Sequence, residues 1–216
     1  MSDLRGRDTL LRYSTEVRTN HWLNAIFFVL AALSGLALFH PAFFWLSNLF
    51  GGGPWTRILH PFLGLSMVLV FLALSARVWD QNGFAAGDWQ WLRQWRDVIG
   101  DREERLPEAG RYNAGQKLVF FVSVGCLLVL FVTGLATWQA YFTVPAALMR
   151  PASVLHAISA LVLICTIITH IYAGFWVRGS MHAMLRGTVT PGWAWKHHRG
   201  WFRQITHASH PRAGSD

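Results

Sequence analysis

Charged residues are missing from this sequence in long blocks. No Asp, Glu, Lys or Arg occurs in residues 19–56, 58–76, 118–149 or 151–177. Each block can hold a helix of the roughly 20 residues needed to cross a bilayer. The pattern predicts four membrane spans, at about residues 22–39, 60–79, 118–138 and 152–177. Between the first two, His40-Pro41, Asn48 and Gly51-Gly52-Gly53-Pro54 interrupt the helical pattern and predict a loop, with a short interfacial helix over 42–50. Residues 80–117 are the one long polar loop, and residues 178–216 a basic, aromatic tail. Within the loop, DWQWLRQWRDVI (88–99) sets Trp91 and Trp95 four apart, with Leu92 and Ile99 near the same side. That spacing predicts an amphipathic helix lying on the membrane or against a partner subunit. WAWKHHRGWFRQI (193–205) reads as a second surface segment. No internal repeat stands out. The fold class is all-α: residues 1–216 form a single integral membrane domain, a four-helix bundle.

Composition agrees: 53% of the residues are hydrophobic and 14% charged, where a soluble domain carries about a quarter charged. The net charge of +8 flanks the apolar spans and forms no dense run. It reads as an orientation signal and lipid headgroup contact, and no nucleic-acid partner is implied. With four spans, only Arg57 and Arg150 fall on the side opposite the termini. The positive-inside rule then makes both termini and the 80–117 loop cytoplasmic. Arg5, Arg7, Arg12 and Arg18 could head a signal peptide, but the apolar run after them exceeds a usual signal core, so an uncleaved first helix is expected. Cys126 and Cys165 lie within spans, and the absence of CxxC and CxxCH excludes covalently attached haem. Both cysteines read as small apolar residues.

The histidines carry the chemistry. His156 and His170 are 14 residues apart in the fourth block. On a helix they leave nearly the same face, separated by a rise of about 21 Å. Depth follows from topology. His21 opens the first span at the cytoplasmic side, and His60 opens the second at the outer side. In the fourth span His156 is outer and His170 inner. The depths therefore pair His60 with His156 and His21 with His170. A b-type haem takes two axial imidazoles from facing helices at one depth. Two stacked b-type haem sites are expected, forming an electron path. The competing reading is polar residues hydrogen-bonded between helices. His40, before Pro41, competes for the outer site, and a surface role is expected for it. Arg57, one turn before His60, is placed for an outer haem propionate or a lipid headgroup. His182, His197, His198, His207 and His210 follow the last span and read as solvated tail residues, with His197-His198 suited to headgroups or a partner.

These pieces together resemble the membrane cytochrome b (gamma) subunit of respiratory formate dehydrogenases. The resemblance rests on NHW (20–22), RILHPF (57–62), GRYNAGQK (110–117), LHA…HIYAGFWVRGS (155–180) and AWKHH (194–198). They run in order from residue 7 to about 205. The tail departs where Arg199-Gly200 stands in place of Pro-Arg, and a lysine-rich end is lacking.

The resemblance implies that His60 and His156 bind an outer haem and His21 and His170 an inner one. It places Asn113, Ala114, Gly115 and Gln116 at a quinone site beside the inner haem, with His170 at its edge. Asn113 reads equally as the N-cap of the third span. The implied partners are an iron–sulfur beta subunit and a catalytic alpha subunit holding molybdenum or tungsten, in a heterotrimer or a higher oligomer of it. The implied substrate is menaquinone or ubiquinone, and the implied location a bacterial inner membrane. Electrons would pass from the iron–sulfur partner to quinone near the cytoplasmic side, with formate oxidised in the partner. The cytochrome b subunit of a nickel–iron hydrogenase is a second reading, and a haem-free membrane anchor a third.

Overall fold

The computed structural model describes residues 9–208; Arg5, Arg7 and His210 lie outside the described residues. In chain order the elements are β1 (Leu10–Leu11), α1 (Thr15–Phe39), a 3-10 helix (Pro41–Phe50), α2 (Gly53–Val78) and a 3-10 turn (Trp79–Gln81). Then come α3 (Ala86–Arg93), α4 (Trp95–Ile99), a 3-10 turn (Glu103–Arg105), α5 (Ala114–Thr137) and α6 (Ala146–Trp176). The chain ends in α7 (Ser180–Arg186), β2 (Thr188–Val189), α8 (Pro191–His197) and α9 (Arg199–Ala208). α1, α2, α5 and α6 are long and apolar enough to cross a membrane. Large apolar side chains such as Leu69, Leu128, Leu161 and Ile168 point outward from them and are exposed. Outward apolar faces are what lipid solvates.

Each long helix begins earlier than its apolar block, and at α1 and α5 a capping side chain sets the start. Ser14 Oγ accepts from Val17 N at 3.4 Å, and Glu16 in the first turn of α1 complements the positive helix end. His21 therefore sits inside α1 rather than at its edge. Before α2, Gly51 turns the chain with φ 87°, a left-handed conformation open to glycine. Thr56 Oγ1 then donates to the Gly52 carbonyl at 2.9 Å. α6 starts at Ala146, and Pro151 is accommodated near its beginning.

The described chain forms two compact units. One contains Thr19–Arg77 and Phe121–Ile171, most of the four long helices. The other contains residues up to Arg18, Val78–Phe120 and residues from Tyr172 onward. This second unit holds features that periodicity did not predict. Leu10 and Leu11 pair antiparallel with Val189 and Thr188. Leu10, Ala183, Val189, Ala194 and Trp201 form a buried core beneath Tyr13, Trp193, Phe202 and Ile205. Arg12 is fully buried. Its guanidinium lies 4.5 Å from the Trp201 ring centroid and within 6 Å of Tyr13, Tyr112 and Trp193. Four ring faces stabilise the cation. Its Nη2 donates to the Arg111 carbonyl, and Arg111 Nη2 donates back to the Arg12 carbonyl at 2.6 Å.

Two expectations are corrected in this unit. The 88–99 segment is not one helix: it breaks at Gln94, whose backbone (φ −91°, ψ 30°) leaves the α region. The break turns Trp95 outward, exposed, while Trp91 stays half-buried. The 193–205 segment is not a surface strip, since Trp201 and His198 are buried. His198 Nδ1 donates to the Gly110 carbonyl at 2.8 Å, which leaves Nε2 to accept from Arg12 Nη2 at 3.2 Å. Burial, then the Arg12 charge, pushes the His198 pKa down to about 3. His197 pairs with Glu103 at 2.6 Å. Gly200, in the departing part of the tail, donates its N–H to the Ala109 carbonyl at 3.0 Å. His182 and His207 are exposed, as expected.

Candidate cofactor sites

The four span histidines meet in the two pairs that depth predicts. The rings of His60 and His156 have centroids 6.2 Å apart. Those of His21 and His170 are also 6.2 Å apart. The surroundings of the two pairs differ. At the first, Ser34 Oγ lies 2.9 Å from His60 Nδ1, and Thr133 Oγ1 lies 3.0 Å from His156 Nδ1. Gly35 makes room for the His60 ring, and Gly134 lies in ordinary contact with the His156 ring. A Cβ on Gly35 would lie 3.0 Å from His60 Cε1, and one on Gly134 would lie 3.4 Å from His156 Cε1. At the second pair, His21 Nδ1 is buried and meets no hydrogen-bond partner among the described residues. Trp22 packs edge-on against the His21 ring, centroids 5.4 Å apart.

His40 belongs to neither pair. It is exposed, and its Nδ1 caps the 3-10 helix by accepting from Ala42 N at 3.2 Å. Arg57 is exposed one turn before His60.

The Asn113–Gln116 segment opens α5 as a reciprocal capping box. Asn113 Oδ1 accepts from Gln116 N at 2.9 Å, and Gln116 Oε1 accepts from Asn113 N at 3.0 Å. A backbone N–H can only donate, so both amide oxygens are committed to the cap, and the Asn113 Nδ2 and Gln116 Nε2 donors are left for other partners. Gly115 lies against Trp91: an added Cβ would come within 3.2 Å of the indole. Lys117 closes the region by donating to Asp88 at 2.7 Å and to the Gly83 carbonyl at 2.9 Å.

Comparison with known proteins places this architecture. Residues 12–187 match the prokaryotic cytochrome b561 family. The chain is 39% identical over 213 residues to the cytochrome b556(fdo) subunit of formate dehydrogenase from Escherichia coli, covering 97% of this chain and 100% of the relative. It is 37% identical over 193 residues to the nitrate-inducible cytochrome b556(Fdn) subunit of Escherichia coli, covering 88% of this chain and 89% of the relative. A cytochrome b556 subunit of formate dehydrogenase from Haemophilus influenzae is 36% identical over 199 residues, covering 90% of this chain and 83% of the relative. The chain belongs to the prokaryotic cytochrome b561 family, among the cytochrome b subunits of formate dehydrogenase.

Membership of a cytochrome b family implies b-type haem, and the residues fit that group. Metal–imidazole bonds of about 2.0–2.1 Å from two sides, plus the ring radii, put two centroids about 6 Å apart. Both histidine pairs have that spacing. No group of three or more His, Cys, Asp or Glu able to hold a metal ion occurs among the described residues. Two-ligand pairs suit an iron whose other positions the macrocycle fills.

The sequence reading missed Ser34, Gly35, Thr133 and Gly134, although it carries a signal for them. Ser34-Gly35-Leu36-Ala37 recurs as Thr133-Gly134-Leu135-Ala136, once in each helix that faces a histidine of the His60–His156 pair. The repeat is too short to stand out before the structure shows that both copies meet an imidazole.

Proposed function

We propose that this chain is the di-haem cytochrome b subunit that carries electrons inward from an iron–sulfur partner to quinone, in a formate dehydrogenase whose catalytic subunit oxidises formate. The observation that carries the reading is the pair of facing imidazoles at each of two depths. When bound, a b-type haem supplies a one-electron carrier at each pair.

The chain's own residues do the rest. His60 and His156 offer ring nitrogens near the outer surface, and His21 and His170 near the inner. Arg57 offers a cation to a propionate at the outer edge. Near the cytoplasmic surface, the Asn113 and Gln116 amide nitrogens are donors suited to a quinone carbonyl, and Gly115 lets the Trp91 indole close against the segment. The positive charge around both termini and the 80–117 loop supports a cytoplasmic placement of these parts in a bacterial inner membrane. Formate oxidised outside and protons drawn from the cytoplasm to quinone would together charge the membrane.

The test is haem counting in the purified complex, by reduced-minus-oxidised spectra. Wild type should show two b-type haems per chain. His60→Ala or His156→Ala should remove one haem, and His21→Ala or His170→Ala the other. A haem-free wild-type chain would make it an anchor only. Two haems surviving His60→Ala while His40→Ala loses one would overturn the outer assignment.

A further inference from the structure

The outer pair is held by two copies of one small device. Each copy is a hydroxyl residue followed by glycine, on a long helix that faces a histidine of the next long helix. Ser34 and Gly35 of α1 receive His60 of α2, while Thr133 and Gly134 of α5 receive His156 of α6. Around the histidines the sequences also echo each other, Ile58-Leu59-His60 against Val154-Leu155-His156. Both hydroxyls are buried.

The hydrogen positions follow from the acceptors nearby. Ser34 Oγ lies 2.8 Å from the Leu30 carbonyl oxygen, and Thr133 Oγ1 lies 2.6 Å from that of Val129. Two oxygens sit that close only with a proton between them, and a carbonyl has none to give. Each hydroxyl therefore donates to its own helix and accepts from the imidazole, whose N–H also faces a backbone carbonyl of the same helix, Ala31 for His60 and Leu130 for His156. That makes Nδ1 of His60 and of His156 the N–H, and it leaves each Nε2 with the free lone pair. An acceptor on the far N–H makes an imidazole a stronger electron donor. A stronger donor favours ferric over ferrous iron and lowers the reduction potential. At the other pair, His21 Nδ1 has no such acceptor.

We propose that Ser34 and Thr133 are positioning residues that, with the Ala31 and Leu130 carbonyls, hold the tautomer of the outer ligands, and that the added hydroxyl acceptors set the outer haem's potential below the inner one's. This rests on the ligand reading given above. It assigns the inward direction of electron flow to two hydroxyls that touch neither quinone nor partner.

The experiment is a potentiometric titration of the intact complex in membranes, with haem counted on the same samples. Ser34→Ala combined with Thr133→Val should keep two haems and shift one to a more positive potential, leaving the other in place. Ser34→Thr and Thr133→Ser, which retain the hydroxyls, should titrate like wild type. Loss of one haem in the apolar variants, reversed by the conservative ones, also supports the holding role. Two haems with unmoved potentials would overturn the proposal, as would a haem loss that the conservative variants share. His60→Ala separates the two readings. If it keeps both haems, the ligand assignment fails. If it loses one while the hydroxyl variants shift nothing, only the present proposal fails.

Discussion

In the unit of Thr19–Arg77 and Phe121–Ile171, buried hydroxyls reach beyond their own helices to imidazole rings: Ser34 to His60 and Thr133 to His156. In the unit of the chain ends and the 80–117 loop, buried polar groups close on backbone and on one another. Arg12 and Arg111 exchange carbonyl bonds, His198 bonds Gly110, and Lys117 bonds Gly83 and Asp88. In both units a buried polar group must find a partner. The difference lies in what remains afterwards. Around the histidines, ring nitrogens are left over with no protein partner required. In the second unit what is left is dispersed: Nε of Arg12, Arg18 and Arg111, Arg12 Nη1 and Gln94 Oε1 are buried without a hydrogen-bond partner, and the α5 cap leaves its two amide nitrogens. The GRYNAGQK segment is thereby divided. Arg111, Tyr112 and Lys117 hold the fold, and Asn113 and Gln116 are both cap and candidate donors.

The largest effect expected from breaking this contrast is at Arg12. Arg12→Ala empties a fully buried site beneath four aromatic rings and leaves the Arg111 carbonyl and His198 Nε2 without their donor. Losses of this kind cost about 3 kcal/mol. Limited proteolysis in detergent should cut the 178–208 region much faster than in wild type, while the haem count stays unchanged. A variant as resistant as wild type would show that the cage contributes nothing. Loss of haem together with the tail would show that the two units do not divide their tasks as described.

A smaller, graded effect comes from His198. Its folded pKa of about 3 lies below the unfolded value of about 6.5. Below pH 6.5 the unfolded chain binds a proton that the folded chain refuses. The contribution is complete above pH 6.5 and falls by about 1.4 kcal/mol per pH unit toward pH 3. His198→Asn keeps a donor for Gly110 without a titrating ring, so the acid-side slope of thermal stability should flatten. An unchanged slope would place the acid sensitivity elsewhere.

How far the sequence could be read follows from the range of each interaction. The spans were legible because a missing charge is a local fact. The histidine pairing was legible because topology converts position into depth. The helix starts were less so, since Ser14 and Asn113 act through single hydrogen bonds outside the apolar blocks. The tail was misread because its partners are remote: Arg12 and His198 are 186 positions apart, and no periodicity connects them. The Ser34-Gly35 and Thr133-Gly134 pairs are plain in the sequence. Their meaning depends on which helix each one faces.

The smallest expected effect tests the point at which the two kinds of economy meet. Asn113 and Gln116 spend their oxygens on the start of α5, so truncation to alanine would remove the cap and any quinone contact together. Asn113→Ser and Gln116→Glu separate the two roles. Serine is as good an N-cap as asparagine, and glutamate completes the capping box at N3, so α5 should keep its start. What each variant loses is the amide NH2. A lost hydrogen bond costs about 0.5–1.5 kcal/mol, so quinone affinity should drop several-fold without vanishing. The readout is reoxidation of donor-reduced complex over limiting concentrations of a quinone analogue. Thermal stability on the same samples reports the cap. Slower reoxidation at unchanged stability assigns the nitrogens to quinone. Wild-type reoxidation in both variants would leave this segment a helix cap only, and the polar unit would then be wholly structural.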